Sequence, residues 1–284
     1  MKFRLDSAEL FIPDGAPIPG ALERTTHMAV AGHQDDLEIM AASGILECFQ
    51  RGDKWFAGVV VTNGSGSPRD NIYKNYTDEQ MRLVRRKEQK KAAVVGEYSA
   101  LALLDYASGS IKNPADKGPV EDLVELLRAA RPEVVYTHNL ADKHDTHVGV
   151  AVKLIEAVRR IPAGERPRKL YGCEVWRDLD WMTDADKVPF NVSGHENLQA
   201  ALLGVFDSQI AGGKRYDLAT MGRRKANATY FTAYGTDETT GLILAMDLTP
   251  LVEDEKLDPA EFVLGFIERF RNEVAEKIRK LTAS

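Results

Sequence analysis

The chain has 284 residues, of which 44% are hydrophobic and 28% charged, and its formal net charge is -6. This balance is typical of one large globular domain. The acidic charge, without a dense Lys/Arg stripe, argues against a nucleic-acid partner, and no apolar run approaches the ~20 residues that span a bilayer. Two cysteines give no disulfide framework and the N-terminus lacks the apolar core of a signal peptide, so we expect a cytoplasmic protein.

The first half of the chain alternates between two kinds of pattern. Residues 1–25 are rich in proline and glycine and are predicted to form an irregular arm. The predicted strands are 27–32, 55–62, 101–104 and 134–137, and the predicted helices are 37–51, 77–95, 120–130 and 147–160. Strands that alternate with helices of this length predict βαβ units and a mostly parallel sheet flanked by helices.

The pattern is weaker in residues 161–284, which we expect to complete the core and the pocket of a single domain. The predicted strands there are 170–176 and 242–248, and the predicted helices are 196–210 and 215–232. Apolar residues then recur at i, i+3 and i+4 from Phe262 to Leu281. This spacing predicts an amphipathic C-terminal helix, and we expect its apolar face to pack on the body of the protein.

Histidines and carboxylates are concentrated after the first and the fourth predicted strands. Residues 33–36 read His-Gln-Asp-Asp, and residues 144–147 read His-Asp-Thr-His. Ligands of parallel sheets sit outside the carboxyl ends of the strands, so both clusters are expected at the same edge. His and carboxylate side chains bind catalytic zinc, with three protein ligands and a fourth position left for water. The two clusters therefore predict a metal site.

Further motifs carry a resemblance to a known family. Residues 33–38, His-Gln-Asp-Asp-Leu-Glu, resemble the His-Pro-Asp-Asp-X-Glu signature of the PIG-L/LmbE-like N-deacetylases. Residues 142–147, Asp-Lys-His-Asp-Thr-His, resemble the second motif of that family, Asp-X-His-X-Asp-His. Residues 85–88 match its Arg-X-X-Glu, and residues 103–105 match its strand-end Asp. The resemblance covers residues 27–160 well and the remainder loosely.

The resemblance implies a Rossmann-like α/β fold and a zinc-dependent hydrolase that removes acetyl groups from N-acetylglucosamine-type sugars. It implies that His33, Asp36 and His147 hold Zn²⁺, although Fe²⁺ or Co²⁺ would suit the same ligands. It assigns Asp35 as the general base. It assigns His144 to stabilise the oxyanion or to protonate the leaving amine.

The same resemblance implies that Arg85 and Asp105 contact the sugar. One departure from the family pattern is Thr146, which stands where the family has an Asp beside the ligand histidine. Partners of metal ligands are worth about 10- to 100-fold in affinity or activity. We expect Asp142 or Asp145 to fill that supporting role and to hold the second ring nitrogen of His144.

Two other functions remain open from the sequence. One is a metal-dependent amide or ester hydrolase with a non-sugar substrate, because the pocket wall and not the metal sets the substrate. The other is a sugar-binding protein without turnover, against which the retained site residues speak. A dinucleotide-binding protein is excluded because no Gly-X-Gly-X-X-Gly follows the first strand. The expected partner is a small amino sugar, with homo-oligomerisation left open.

Overall fold

The structure, a computed structural model, describes residues 1–283, and eight strands form one sheet. The strands are β1 (Glu9–Phe11), β2 (His27–Ala31), β3 (Phe56–Thr62), β4 (Ala100–Tyr106), β5 (Val134–His138), β6 (Lys169–Cys173), β7 (Val188–Asn191) and β8 (Leu242–Asp247). Their order is β1-β4-β3-β2-β5-β6-β8-β7, with the five strands from β4 to β6 parallel and β1, β8 and β7 antiparallel to their neighbours. This confirms a mostly parallel sheet with extra strands in the C-terminal part.

Helices cover both faces of the sheet. They are α1 (Ile18–Glu23), α2 (Asp36–Met40), α3 (Ala42–Cys48), α4 (Asp78–Val95), α5 (Ser108–Lys112), α6 (Gly118–Ala130), α7 (Asp145–Arg159), α8 (Glu196–Gly204), α9 (Asp207–Ile210), α10 (Tyr216–Tyr230), α11 (Pro250–Glu253) and α12 (Pro259–Thr282). Two large apolar clusters form the core. One joins the sheet to α6, α7 and α11, and the other joins it to α3, α4 and α8.

Strand β2 lies in the middle of the sheet and is buried along its whole length. Met28 and Val30 pack into one apolar cluster, and Ala29 and Ala31 pack into the other. A strand covered on both faces is expected to be apolar throughout, as this one is. The loop after β2 therefore starts from a rigid, central position.

The N-terminal arm, predicted to be irregular, contains two short elements. Strand β1 pairs antiparallel with β4, and helix α1 follows Pro17. The apolar strand β4 would otherwise leave an unpaired edge, which folded proteins cover or blunt. Proline is also well tolerated in a first helical turn, so the proline content did not exclude helix α1.

The helix predicted over residues 37–51 is broken into α2 and α3 at Ala41. The guanidinium of Arg224 donates to the backbone carbonyls of Glu38 (2.7 Å) and Ile39 (3.2 Å) at the end of α2. These bonds satisfy carbonyls that the break leaves without helical partners. A residue 186 positions away thus fixes the end of the helix that begins with Asp36.

The C-terminal helix α12 is amphipathic as predicted, but only its first turns pack on the protein. Val263 and Phe266 are buried, and Phe270 contacts Trp181. The apolar residues beyond Phe270 are exposed, which differs from the expected packing along the whole face. A helix of 24 residues spans about 36 Å and extends past the layer of helices on which it starts. Within residues 1–283, no helix combines the length and the apolar character that a membrane span requires.

Candidate metal and catalytic site

A cavity of about 670 Å³ opens at the carboxyl edge of the parallel strands. His33, Asp35 and Asp36 reach it from the turn between β2 and α2, and His144 and Thr146 reach it from the start of α7. Both predicted clusters therefore meet at one edge of the sheet. The volume lies within the range of about 300–1,000 Å³ that is usual for small-molecule sites.

Three side chains of the predicted ligand set converge on one point. His33 Nδ1 lies 3.1 Å from His147 Nε2 and 3.3 Å from Asp36 Oδ2, and the last two atoms are 3.2 Å apart. A tetrahedral ion with ligand distances of about 2.0–2.2 Å requires donors about 3.3–3.6 Å apart. These three donor atoms of His33, Asp36 and His147 form a triangle, which we call the donor triangle. Its sides need to lengthen by only a few tenths of an ångström, so the donors fit a divalent metal in both type and spacing.

Two carboxylates hold His147 in place from opposite sides. Asp36 faces its Nε2, and Asp142 Oδ1 lies 3.4 Å from its Nδ1. Burial lowers the pKa of His147, but these two carboxylates outweigh burial and raise the pKa to about 9. Burial alone would raise the pKa of Asp36, but the histidines around it outweigh burial and hold that pKa well below its ordinary value. Of the two residues that the sequence left open, Asp142 is therefore the one that lies beside His147.

His138, which ends β5, packs directly behind the site. Its ring stacks on that of His147 with centroids 3.8 Å apart, and its Nε2 accepts the Gly32 amide at 2.8 Å. Burial and the neighbouring His147 hold the pKa of His138 well below its ordinary value, so the ring is neutral. A Cβ at Gly32 would lie 3.0 Å from the His147 ring, so a side chain there would force the ring to move by a few tenths of an ångström.

Asp35 has the position and the free oxygen expected of a base. Its backbone is at φ 89°, which is uncommon for a residue other than glycine and marks a strained conformation. Its buried Oδ2 has no hydrogen-bond partner among residues 1–283, while Oδ1 lies 3.5 Å from Arg85. Burial raises the pKa of Asp35 to about 7, with Arg85 opposing the shift.

His144 is the N-cap of α7, and its Nδ1 accepts the backbone amide of Thr146 at 3.2 Å. Neither Asp142 nor Asp145 holds this ring nitrogen, contrary to the expectation. Asp142 instead accepts the backbone amide of His144 at 2.9 Å. Burial and the neighbouring histidines His147 and His33 lower the pKa of His144 to about 4, so the ring is neutral near pH 7 with its proton on Nε2.

Two residues predicted to act at the site lie elsewhere. Asp105 does not line the cavity but forms ion pairs with Arg82 (Nε to Oδ1, 2.8 Å) and Arg86 (3.3 Å) beneath the N-terminal arm. Asp145 is exposed on the first turn of α7. Arg85 does line the cavity, yet its Nη2 donates to the Gln34 carbonyl and so fixes the turn that carries Asp35.

Several residues of the cavity wall lie outside the sequence motifs described above. Tyr216 and Trp176 stand edge to face with ring centroids 6.0 Å apart, and Lys214 lies 5.0 Å from the Trp176 ring. Burial and the carboxylates of Asp35 and Asp36 raise the pKa of Tyr216. These wall residues come from the weakly patterned C-terminal half. Their only signal in the sequence is the aromatic character of Trp176 and Tyr216.

Comparison with known families identifies the stretch that carries the site. Residues 28–158 match the family model of the GlcNAc-PI de-N-acetylases, PIG-L. The match includes both histidine motifs and confirms the resemblance that they predict. A search of curated proteins found no sequence that matches the chain.

Solved structures share the fold. The 4-carboxy-2-hydroxymuconate hydratase GalB of Pseudomonas putida has a TM-score of 0.62 and 16% identity, over 79% of this chain and 96% of that one. N,N'-diacetylchitobiose deacetylase of Pyrococcus horikoshii has a TM-score of 0.55 and 15% identity, over 78% and 83%. A deacetylase of teicoplanin biosynthesis has a TM-score of 0.55 and 11% identity, over 78% and 98%. Because a hydratase is among them, the fold alone does not fix the reaction.

The donor triangle gives a direct expectation for metal content. His147→Ala removes one of three donors, so the purified variant should contain much less divalent metal than wild type by elemental analysis. His195→Ala is the matched control, because His195 is an exposed histidine outside the cavity. Equal metal in His147→Ala and wild type would contradict the ligand assignment.

The contacts of Asp142 separate it from Asp145. Asp142→Asn removes the carboxylate beside His147 Nδ1 and should weaken metal binding about 10- to 100-fold in a competition titration with a chelator. Asp145→Asn should bind metal as wild type does, because its side chain is exposed. The reverse order of the two variants would show that Asp145 supports the site.

Proposed function

We propose that this protein is a metal-dependent hydrolase that removes the N-acetyl group from an N-acetylglucosamine-type amino sugar or a conjugate of one. The observation that carries the proposal is the donor triangle of His33, Asp36 and His147 with the unpaired Asp35 oxygen in the same cavity. The family match over residues 28–158 and the deacetylases among the structural neighbours support it.

We propose that His33, Asp36 and His147 hold Zn²⁺, and Fe²⁺ or Co²⁺ would suit the same donors. Such an ion supplies Lewis acidity and makes a water molecule acidic near neutral pH. The donor set leaves room for this chemistry because only three protein atoms converge. Asp142 orients His147 from its other ring nitrogen, which fixes the ring that would face the ion.

Asp35 is the proposed general base. Its unpaired oxygen is free to take a proton from water, and a pKa of about 7 lets it hold that proton and release it again at neutral pH. Arg85 and the Gln89 side chain, which accepts the Asp35 amide at 3.1 Å, keep the carboxyl in position. The leaving amine needs one proton, and Asp35 is then the group able to return it.

His144 is proposed to stabilise the oxyanion. Because Nδ1 accepts the Thr146 amide, the neutral ring carries its proton on Nε2 and can donate it in a hydrogen bond. A pKa of about 4 makes the ring a poor store for a transferable proton at neutral pH. Of the two roles implied by the resemblance, this geometry favours charge stabilisation.

The whole chain is proposed to act as one cytoplasmic catalytic domain. The sheet runs without interruption from β1 at one edge to β7 at the other, and the cavity takes residues from His33 through to Ile243. Cys48 and Cys173 are both free and buried, as expected in a reducing compartment.

The activity is tested with metal-loaded protein and a panel of N-acetylated amino sugars, with free amine as the readout. Asp35→Asn should retain its metal and lose about 10²- to 10⁴-fold in rate. Asp145→Asn serves as the control, since the residue is exposed and outside the cavity, and should match wild type. Release of no amine from any member of the panel, or a wild-type rate for Asp35→Asn, would overturn the proposal.

The pH dependence follows from the raised pKa of Asp35. A base must be deprotonated, so kcat/KM should fall about tenfold per pH unit below the pKa of Asp35. That pKa is about 7 here, and a bound cation favours the carboxylate, so the midpoint should lie at or below pH 7. Metal content measured at each pH distinguishes protonation of Asp35 from loss of the metal ion as the cause of the fall in kcat/KM. A rate that stays flat from about pH 8 to pH 5 with the metal retained would exclude Asp35 as the base.

A further inference from the structure

The cavity extends to both sides of the donor triangle, and its two ends differ in chemistry. The order of strands places the triangle in the middle, after β2 and β5. On the side of β3 and β4, the wall consists of the loop 64–68 with Ser67, Ser108 and Lys112. On the side of β6, β8 and α10, the wall contains aliphatic side chains. These are Ile39, Val175, Ala219, Leu242 and Ile243, which we call the apolar arm.

The apolar arm is deep. Ile39, Leu242 and Ile243 line the cavity and yet are only 8%, 6% and 3% exposed. Their side chains therefore form the floor of an enclosed space and not part of an open surface. Such a space favours an apolar ligand group, because that group leaves water on entering it.

One charged residue on the wall of the apolar arm is Glu174, and both oxygens of its carboxylate already accept hydrogen bonds from the protein. Its Oε1 accepts the Leu179 amide at 2.8 Å, and its Oε2 accepts the Leu244 amide at 3.0 Å and the Asn227 side chain at 2.8 Å. These bonds tie the end of β6 to β8 and α10. Glu174 is therefore a structural group and offers little to a ligand.

A second charged residue on this wall is Arg224, which is also engaged within the protein. Its Nη1 donates to Gln199 Oε1 at 2.7 Å, and its Nη2 donates to the carbonyls of Glu38 and Ile39. Its Nε has no partner, but it is enclosed by protein. Arg223 also lines the cavity from α10, and its guanidinium donates to the backbone carbonyls of Val175 and Trp176. With these three charged groups engaged within the protein, the side chains that the arm presents to a ligand are mostly aliphatic.

The scissile amide has two substituents, an amino sugar and an acyl group. A sugar needs hydrogen-bond partners for its hydroxyls, and the side of β3 and β4 supplies Ser67, Ser108 and Lys112. We propose that the apolar arm receives the acyl group and that the preferred substrates carry an N-acyl chain of four or more carbons. Hydrolysis forms a C–O bond from water, breaks the C–N bond and moves a proton to the amine, which releases a fatty acid and the free amino sugar. This inference rests on the proposed hydrolase function, with acetyl as the shortest member of the class.

The test is a series of N-acyl glucosamines from acetyl through butanoyl and hexanoyl to octanoyl, assayed with metal-loaded protein for free amine. Burial of each methylene should raise kcat/KM about fourfold until the arm is filled. Ala219→Trp places a large ring at the wall of the arm from an exposed position and should abolish this gain. Ala226→Trp, on the same helix but outside the cavity, should keep it.

The outcomes separate the two proposals. If acetyl is hydrolysed fastest and the rate falls with chain length, the acyl assignment is wrong and the hydrolase function stands. If the rate rises with the length of an alkyl aglycone on N-acetylglucosamine and not with the acyl chain, the arm holds the aglycone and the acyl assignment is again wrong. If no member of either series releases amine, the hydrolase function itself fails. The wild-type series decides the question even if the Ala219→Trp variant does not fold.

Discussion

The carboxylate of Asp36 is the interaction on which the rest of the site depends. Its Oδ2 accepts the backbone amide of His33 at 2.7 Å and lies within 3.6 Å of a ring nitrogen of each of His33, His138 and His147. Three imidazoles packed this closely would disfavour one another's charged forms. The single carboxylate compensates for that repulsion and joins the end of β2 to the end of β5.

The backbone around Asp36 is shaped to allow this convergence. The chain after β2 turns at Gly32, where a Cβ would crowd the His147 ring, and passes Asp35 in a strained conformation. On the facing side, Asp142 accepts the amides of His144, Trp176 and Arg177 and so joins the loop after β5 to the loop after β6. The residues proposed to act in catalysis lie on turns and at helix starts, but hydrogen bonds to buried carboxylates and a rigid sheet hold these segments in place. Preorganisation of this kind is what an electrostatic catalyst requires.

The sequence predicted the features that depend on local pattern and on the rule for parallel sheets. Helix α4 lies within the predicted range 77–95, and a capping box of Thr77 and Gln80 starts it. His33, Asp36 and His147 meet because strands β2 and β5 are neighbours. What could not be predicted depends on distant partners. The break at Ala41 is fixed by Arg224, and strand β1 forms because β4 offers an open edge.

The same limit applies to individual site residues. Asp105 matches the family pattern by position, but Arg82 and Arg86 on α4 face it in space and engage its carboxylate. Whether Asp142 or Asp145 supports His147 depends on the path of a short loop, which residue spacing does not determine.

The long C-terminal helix α12 has a consequence for local unfolding of the protein. Beyond Phe270 its turns have few tertiary contacts, and they are supported by local ion pairs such as Glu273 with Lys277 at 3.7 Å. Such pairs contribute only about 0.2–0.5 kcal/mol each, far less than burial of an apolar face. The last turns of α12 should therefore unravel and reform many times for each opening of the sheet, and their amide protons should exchange with solvent on a timescale separate from those of β2 and β5.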